Sequence, residues 1–90
     1  MLKTLEELIK TIRDRKFSSP DQYYTNKLLN DKNLSVEKVK EEVAELIDAV
    51  EKNSNKIHEA ADVLYHLMMY LEANGIKIEE IMAELANRKK

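Results

Sequence analysis

Four carboxylates in two spaced pairs are the residues of this sequence best suited to chemistry. Glu42 and Glu45 form an E-x-x-E pair, and Glu59 and Asp62 form an E-x-x-D pair. The second pair opens a stretch, residues 60–73, that is apolar on almost every side, and a helix of that kind is normally buried. Ionised carboxylates on a buried helix are costly unless a cation or hydrogen bonds compensate. The pattern therefore predicts a site for a hard divalent cation, which takes oxygen ligands.

The two pairs fall on neighbouring predicted helices. One helix is predicted over residues 36–52, with Ser35 as its N-cap, and the next over residues 56–73. Residues 53–55 form a short connection, so the two helices should run antiparallel as a hairpin. The pairs then lie about one to two turns from the bend, where four carboxylates can converge.

The remaining helices are predicted at residues 5–16, 20–29 and 78–87. Ser19 and Pro20 form a helix start signal, and Gly75 is suited to the C′ position that ends the long helix. No strand pattern competes. The chain is therefore predicted to be a single all-α domain over residues 1–90, with four to five helices forming a bundle.

One side of the helix at residues 36–52 is apolar and is its predicted packing surface, formed by Val36, Val39, Val43, Leu46, Ile47 and Val50. A chain of this size buries only about 60–65% of its surface alone. Two long helices with so much apolar surface need a partner to cover it. We therefore expect a homodimer that completes the bundle.

Composition excludes several classes of function. The net charge of -2 gives no reason to expect nucleic acid or an anionic membrane as partner. Cysteine is absent, which excludes disulfides, thiolate metal sites and a cysteine nucleophile. No apolar run approaches the roughly 20 residues of a membrane span, and nothing resembles a signal peptide. A soluble protein in the cytoplasm is the resulting expectation.

Simpler explanations of the acidic residues stay open. Lys38 and Lys40 alternate with Glu41 and its neighbours, as on a solvated helix face with ion pairs. His66 follows Asp62 by one turn and has three possible roles: orienting that carboxylate, contacting phosphate, or forming a hydrogen bond within the core.

The motifs together resemble a known family. K-V-x-E-E-x-x-E at residues 38–45, E-A-A-D-x-L-Y-H-L at residues 59–67 and Y-T-x-K-L-L at residues 24–29 are similar to phosphoribosyl-ATP pyrophosphohydrolase. The broader E-E-x-x-E and E-x-x-D pattern resembles the all-α nucleoside triphosphate pyrophosphohydrolases, which include the MazG-type enzymes. The resemblance covers nearly the whole chain.

The resemblance implies hydrolysis of phosphoribosyl-ATP to phosphoribosyl-AMP and pyrophosphate, the second step of histidine biosynthesis. It implies Mg²⁺, with Mn²⁺ as a substitute, on the four carboxylates Glu42, Glu45, Glu59 and Asp62. The expected catalytic residues are Glu41, Glu42 and Glu45, with Glu41 as general base or as a support for the ligands. The expected substrate-binding residues are Tyr24, Thr25, Lys27, Lys38 and Lys52. Family members of this kind are typically homodimers.

Two further hypotheses belong to other classes. A MazG-like house-cleaning enzyme would hydrolyse noncanonical nucleoside triphosphates, and substrate competition would separate it from the first. A non-enzymatic helical interaction module would carry solvated acids, and magnesium would change neither its stability nor its activity.

Overall fold

Five α-helices make up the described part of the chain. The computed structural model describes residues 2–16 and 24–89, with helices α1 (Lys3–Arg15), α2 (Tyr24–Asn30), α3 (Lys32–Lys52), α4 (Lys56–Ala73) and α5 (Ile78–Arg88). Within these two ranges no strand is present, and no helix has the length and apolarity needed to cross a membrane. The all-α prediction is confirmed, and α4 has its predicted bounds. The start signal at Ser19 and Pro20 lies outside the described residues.

The beginning of α3 differs from its prediction. The Asp31 side chain accepts a hydrogen bond from the Leu34 backbone N–H at 3.0 Å, so the helix begins at Lys32 rather than at residue 36. Ser35 is 2% exposed and lies inside the helix, so its prediction as an N-cap was wrong. Aspartate and serine are both good caps, and here they stand one turn apart. Capping at Asp31 adds a turn to α3 and leaves Ser35 in the interior.

Two asparagines in left-handed conformation form the turn between α3 and α4. Asn53 has φ 53° and Asn55 has φ 55°, a region that asparagine tolerates better than most residues. The Ser54 N–H donates to the Ala49 carbonyl at 3.0 Å, and the Asn53 N–H donates to the Val50 carbonyl at 3.2 Å. This pair of bonds is a Schellman motif, which ends α3 sharply. Consequently α4 folds back along α3, as the hairpin prediction required.

The hydrophobic core surrounds the C-terminal half of α4. Its buried members come from three helices: Ile9 and Ile12 of α1, Leu28 and Leu29 of α2, and Met68 and Met69 of α4. The N-terminal half of α4 instead carries Glu59 and Asp62 beside α3. The C-terminal half of α4 therefore packs in the core, and its N-terminal half carries the acids.

Three residues on the apolar side of α3 are exposed within a single chain. Val43 is 39% exposed, Ile47 is 55% exposed and Val50 is 56% exposed. The buried residues of α3 are instead Ser35, Glu42 and Ala49, which lie on the side where the acids are. The prediction that this apolar side supplies the packing surface therefore holds only in part for one chain, because Val36, Val39 and Leu46 are half-buried whereas the buried positions of α3 lie on the side of Glu42.

Arg13 joins three helices through two carboxylates. Its Nε donates to Glu72 of α4 at 2.8 Å, and its two terminal nitrogens donate to Glu79 of α5 at 2.9 and 2.7 Å. These hydrogen bonds lower the pKa of Glu79 from 4.5 to about 2. Beyond Ile78, which packs against the core, α5 leaves Met82 49% exposed and Leu85 51% exposed. The arginine is thus a main attachment of α5.

Arg13→Ala is expected to lower the free energy of unfolding by about 1–2 kcal/mol, because two carboxylates lose charge-assisted hydrogen bonds at a partly exposed position. Amide exchange should accelerate in α5 more than in α3. Because the pKa of Glu79 is lowered on folding, its contribution is complete above the reference value of 4.5 and is lost as the pH falls toward about 2. The difference in the free energy of unfolding between wild type and Arg13→Ala should therefore become smaller as the pH falls from 4.5 toward about 2.

Arg88→Ala is the matched control, since it removes the Arg88–Glu84 pair at 3.1 Å within α5. An exposed pair of that spacing contributes about 0.3–0.5 kcal/mol. Equal losses in the two variants would contradict the role given to Arg13.

Candidate metal and active site

Three of the four predicted ligands converge where α3 faces α4. Glu42 and Glu45 of α3 and Glu59 of α4 each offer a carboxylate oxygen, and these oxygens lie within 4.8 Å of one another. The spacing of three on α3 places both of its acids on the side turned to α4. We call Glu42, Glu45 and Glu59 the carboxylate cluster.

Asp62 belongs to a second, overlapping group on α4. Its carboxylate, that of Glu59 and the imidazole of His58 offer ligand atoms that also lie within 4.8 Å of one another. His58 Nε2 is 3.4 Å from Asp62 Oδ2, one helical turn away. Glu59 is common to both groups, so the fourth predicted ligand adjoins the cluster through it.

Two oxygens of the cluster are buried without compensation. Glu42 is 8% exposed, although it is an acidic residue on a helix of a small protein. Among the described residues, none supplies a hydrogen-bond partner to Oε2 of Glu42 or to Oε2 of Glu59. Buried carboxylate oxygens are normally paired, since leaving them unpaired costs free energy. Oxygen donors converging in this way fit a hard divalent cation such as Mg²⁺.

The electrostatics of the cluster point in the same direction. Burial raises the pKa of Glu42, the negative charge of Glu45 raises it further, and His66 opposes the rise. Loss of solvation also raises the pKa of Glu59, with Glu45 adding to the rise and His58 opposing it. Ionising both groups at neutral pH therefore costs free energy in the folded chain. A bound cation would relieve that cost.

His66 has a defined orientation beneath the site. The side chain is 8% exposed, and its Nδ1 lies 2.9 Å from the Asp62 backbone carbonyl. A carbonyl only accepts, so Nδ1 carries the hydrogen and donates it. The Tyr65 ring packs edge to face against the imidazole, with the two ring centroids 5.2 Å apart. The hydrogen bond within the protein, one of the three roles considered for His66, is present in the structure.

The other predicted residues of α3 lie outside the cluster. The Glu41 side chain is 51% exposed, and it pairs with Lys38 at 3.5 Å. Lys52 pairs with Asp48 at 3.1 Å, and its side chain is 69% exposed. Glu41, Lys38 and Lys52 therefore supply no atom to either ligand group found among the described residues.

The predicted substrate residues of α2 are only partly described. Lys27 is exposed, in the last turn of that helix. Tyr24 and Thr25 form its first turn, and their side chains lie outside the described ones.

One concave space on the described surface lies away from the carboxylate cluster. A groove of about 740 Å³ runs between α1 and α5, with Leu5, Ile9, Ile78 and Met82 in its lining. Its lining also carries the charged residues Glu6, Lys10, Arg13, Asp14 and Glu79, but among the described residues its acids form no group with converging ligand atoms. We therefore place the candidate site at the cluster, where unpaired buried oxygens meet.

His58 is the residue of this region that sequence reasoning missed. Its signal was present, because it precedes Glu59 and stands four residues before Asp62, on the same helix face. Its imidazole nitrogen lies beside the acids, 3.4 Å from Asp62 Oδ2.

Comparison with known proteins agrees with this picture. The family phosphoribosyl-ATP pyrophosphohydrolase matches residues 5–89. A phosphoribosyl-ATP pyrophosphatase of Rhodopirellula baltica is 37% identical over 93% of this chain and 75% of the relative. Those of Halobacterium salinarum (38% identical, 94% of this chain, 96% of the relative) and Methylobacterium nodulans (42%, 94% and 82%) are similar.

No solved structure matches the chain. The family match nevertheless covers almost its whole length, both acidic pairs included. The chain belongs to the phosphoribosyl-ATP pyrophosphohydrolase family.

Proposed function

We propose that this chain hydrolyses phosphoribosyl-ATP to phosphoribosyl-AMP and pyrophosphate, the second step of histidine biosynthesis. Membership of the family and the names of the relatives support the substrate. The observation that carries the reaction type is the pair of buried, unpartnered oxygens on Glu42 and Glu59. A surface of solvated acids, as in a non-enzymatic interaction module, would not bury them.

The proposed cofactor is Mg²⁺, with Mn²⁺ as a substitute, held by Glu42, Glu45, Glu59 and Asp62. When bound, the cation supplies positive charge that neutralises the triphosphate and polarises its phosphoryl oxygens. Glu42 is fixed by burial and defines the floor of the site. Glu45 is exposed, so its carboxylate is accessible from solvent.

Glu41 is the proposed general base. It lies one residue before Glu42 and outside both ligand groups, and its carboxylate, which pairs with Lys38 at 3.5 Å, is proposed to accept a proton from the attacking water. That water attacks phosphorus, the anhydride bond between the α and β phosphates breaks, and pyrophosphate leaves. Lys38, Lys52 and Lys27 are the proposed cations for phosphate oxygens. Tyr24 and Thr25 are proposed to meet the ribose or phosphate ends of the substrate.

A homodimer is proposed as the working form. The exposed apolar side of α3, centred on Val43, Ile47 and Val50, is the surface that a second copy would cover. Since the opposite side of the same helix carries the acids, dimerisation would hold α3 firmly behind the site. A cytoplasmic location stays a prediction from the sequence.

Pyrophosphate release tests the proposed reaction directly. With Mg²⁺, release from phosphoribosyl-ATP should exceed release from each member of a panel of nucleoside triphosphates at equal concentration. Preference for free triphosphates would instead favour the house-cleaning hypothesis. If the folded protein released no pyrophosphate from any of these substrates, an enzymatic role would be contradicted.

Two neighbouring substitutions should separate cation binding from proton transfer. Glu42→Gln is expected to raise the stability of the cation-free protein at pH 7 by about 1–2 kcal/mol, because it removes an unpaired buried charge. It should abolish stabilisation by Mg²⁺ and turnover together. Glu41→Gln should keep the stabilisation and lower kcat by about 100-fold or more.

The gain from Glu42→Gln should depend on pH. Folding raises the pKa of Glu42, so its protonated form stabilises the fold below the reference value of 4.5, and that contribution is lost as the pH rises through the raised value. The gain should therefore vanish below pH 4.5. Glu51→Gln, an exposed site on the same helix, is the control and should change little. Full activity in Glu42→Gln would contradict the assignment.

Ile47→Glu should dissociate the proposed dimer, because it places a charge on the apolar side of α3. Sedimentation should show a monomer, whereas Met82→Glu, at the comparably exposed apolar residue of α5, should leave the dimer intact. If Met82→Glu dissociated the dimer and Ile47→Glu did not, the dimer interface would instead lie at the groove between α1 and α5.

A further inference from the structure

Asn74 and Gly75, at the junction of α4 and α5, form the only Asn-Gly pair in the sequence, since the chain has a single glycine. In such a pair the backbone nitrogen of the glycine can attack the side-chain amide carbon of the asparagine, because glycine has no side chain to obstruct the approach. Both residues are exposed. Among the described residues, none beyond the chain neighbours of Gly75 lies within 4 Å of the position that a Cβ would take. The junction therefore combines a reactive dipeptide with open access for water.

The reaction between these two residues needs no cofactor. The Gly75 nitrogen loses its proton and forms a bond to Cγ of Asn74, the Cγ–Nδ2 bond breaks, and the side-chain nitrogen takes up a proton and leaves as ammonia. The product is a cyclic succinimide. Water then opens the ring at either of its carbonyl carbons, which yields aspartate or isoaspartate at position 74. Water is the only co-reactant, and nothing is oxidised or reduced.

In the folded chain both reacting groups are held by other partners. Nδ2 of Asn74 donates to the Tyr70 carbonyl at 2.8 Å, and the Gly75 N–H donates to the Glu72 carbonyl at 3.1 Å. Asn74 has ψ 11° and Gly75 has φ 70°, as is usual where a helix ends. Ring closure requires the Gly75 nitrogen beside the Asn74 side chain, so these hydrogen bonds must break first. The reaction therefore requires a local opening at the end of α4.

Arg13 fastens the chain on both sides of this junction. Its Nε lies 2.8 Å from Oε1 of Glu72, two residues before Asn74, and its Nη2 lies 2.7 Å from Oε1 of Glu79, four residues after Gly75. Glu72 also supplies the carbonyl that holds the Gly75 N–H. No residue of α5 is fully buried, so packing holds this helix less firmly than it holds α4. The ion pairs of Arg13 are therefore well placed to keep the junction closed.

We infer that Asn74–Gly75 is a site of spontaneous deamidation whose rate is set by opening of the α4–α5 junction, with Arg13 as the residue that keeps the junction closed. None of these residues belongs to the carboxylate cluster. The modification acts on the fold itself. Aspartate adds negative charge at the C-terminus of α4, where the helix dipole is already negative, and isoaspartate adds an atom to the backbone at the bend. Either product weakens the attachment of α5.

Peptide mapping by mass spectrometry tests the site in the full-length protein, incubated at mildly alkaline pH. Conversion of the amide to a carboxyl should appear first at Asn74 and later at Asn53, which is followed by serine rather than glycine. Unfolding the chain in denaturant should accelerate the conversion of Asn74 by about tenfold or more, because the opening is then complete. Asn74→Gln should show no comparable conversion at that position, since its longer side chain closes the ring more slowly.

Two arginine variants test the control of opening. Arg13→Ala should accelerate the conversion of Asn74 by about fivefold or more, because loss of both ion pairs makes local opening more frequent. Arg13→Lys keeps the charge but not the fork of donors, and its rate should lie between those of the wild type and Arg13→Ala. Arg88→Ala removes an exposed pair within α5 and should leave the rate unchanged. In the modified protein, isolated by ion exchange, amide exchange should be faster in α5 and unchanged in α3.

Three results would overturn the inference. They are a first conversion at another asparagine, an equal rate in folded and unfolded wild type, and an equal rate in Arg13→Ala and wild type. Amide exchange in α3 shows whether Arg13→Ala remains folded. If it does not, Arg13→Lys decides the role of the arginine, and a rate equal to that of the wild type would contradict it.

Discussion

The negative charge held between α3 and α4 is the constraint on which the rest of the structure depends. Glu42, Glu45 and Glu59 point into one contact between two helices, and the most buried of them is 8% exposed. Their mutual repulsion opposes the pairing that brings them together. The hairpin must therefore be held by other interactions: the tight turn at one end and the core around Met68 and Met69 at the other.

This constraint accounts for an unusual distribution of buried and exposed residues on α3. In most small helical proteins the apolar stripe packs inward and the charges face water. In α3 the buried acid Glu42 faces the neighbouring helix, whereas the apolar residues Ile47 and Val50 are more than half exposed. A single chain therefore leaves two costs uncompensated. The buried carboxylate of α3 has an oxygen with no hydrogen-bond partner among the described residues, and the exposed apolar residues of α3 are in contact with water.

Sequence reasoning was sufficient where local rules and tertiary packing agree. The bounds of α4 followed from its apolar stretch and from Gly75, whose φ of 70° is the left-handed conformation expected at C′. The convergence of acids on the hairpin followed from their spacing and the short turn. Reasoning failed where two local signals were equally good, as with Asp31 and Ser35, because packing then decides which one caps the helix.

Which side of α3 is buried could not be read from the sequence either. An apolar stripe shows that a surface needs cover, but it does not show whether the same chain or another supplies it. Interactions between distant residues are equally invisible to local patterns. Arg13 reaches Glu72 and Glu79 across more than fifty residues, and nothing in their spacing connects them.

The turn at Asn53 and Asn55 has a consequence for how this chain can change in evolution. Connecting loops normally accept inserted or deleted residues, since they carry little packing. Here one extra residue within α4 just after the turn would rotate the following acids by about 100° around the helix axis. Glu59 would swing away from Glu42, although no residue of the site had been replaced. A change of length within the first turn of α4 should therefore be tolerated as poorly as a substitution of the acids, whereas a change of length between α4 and α5 should be tolerated far better.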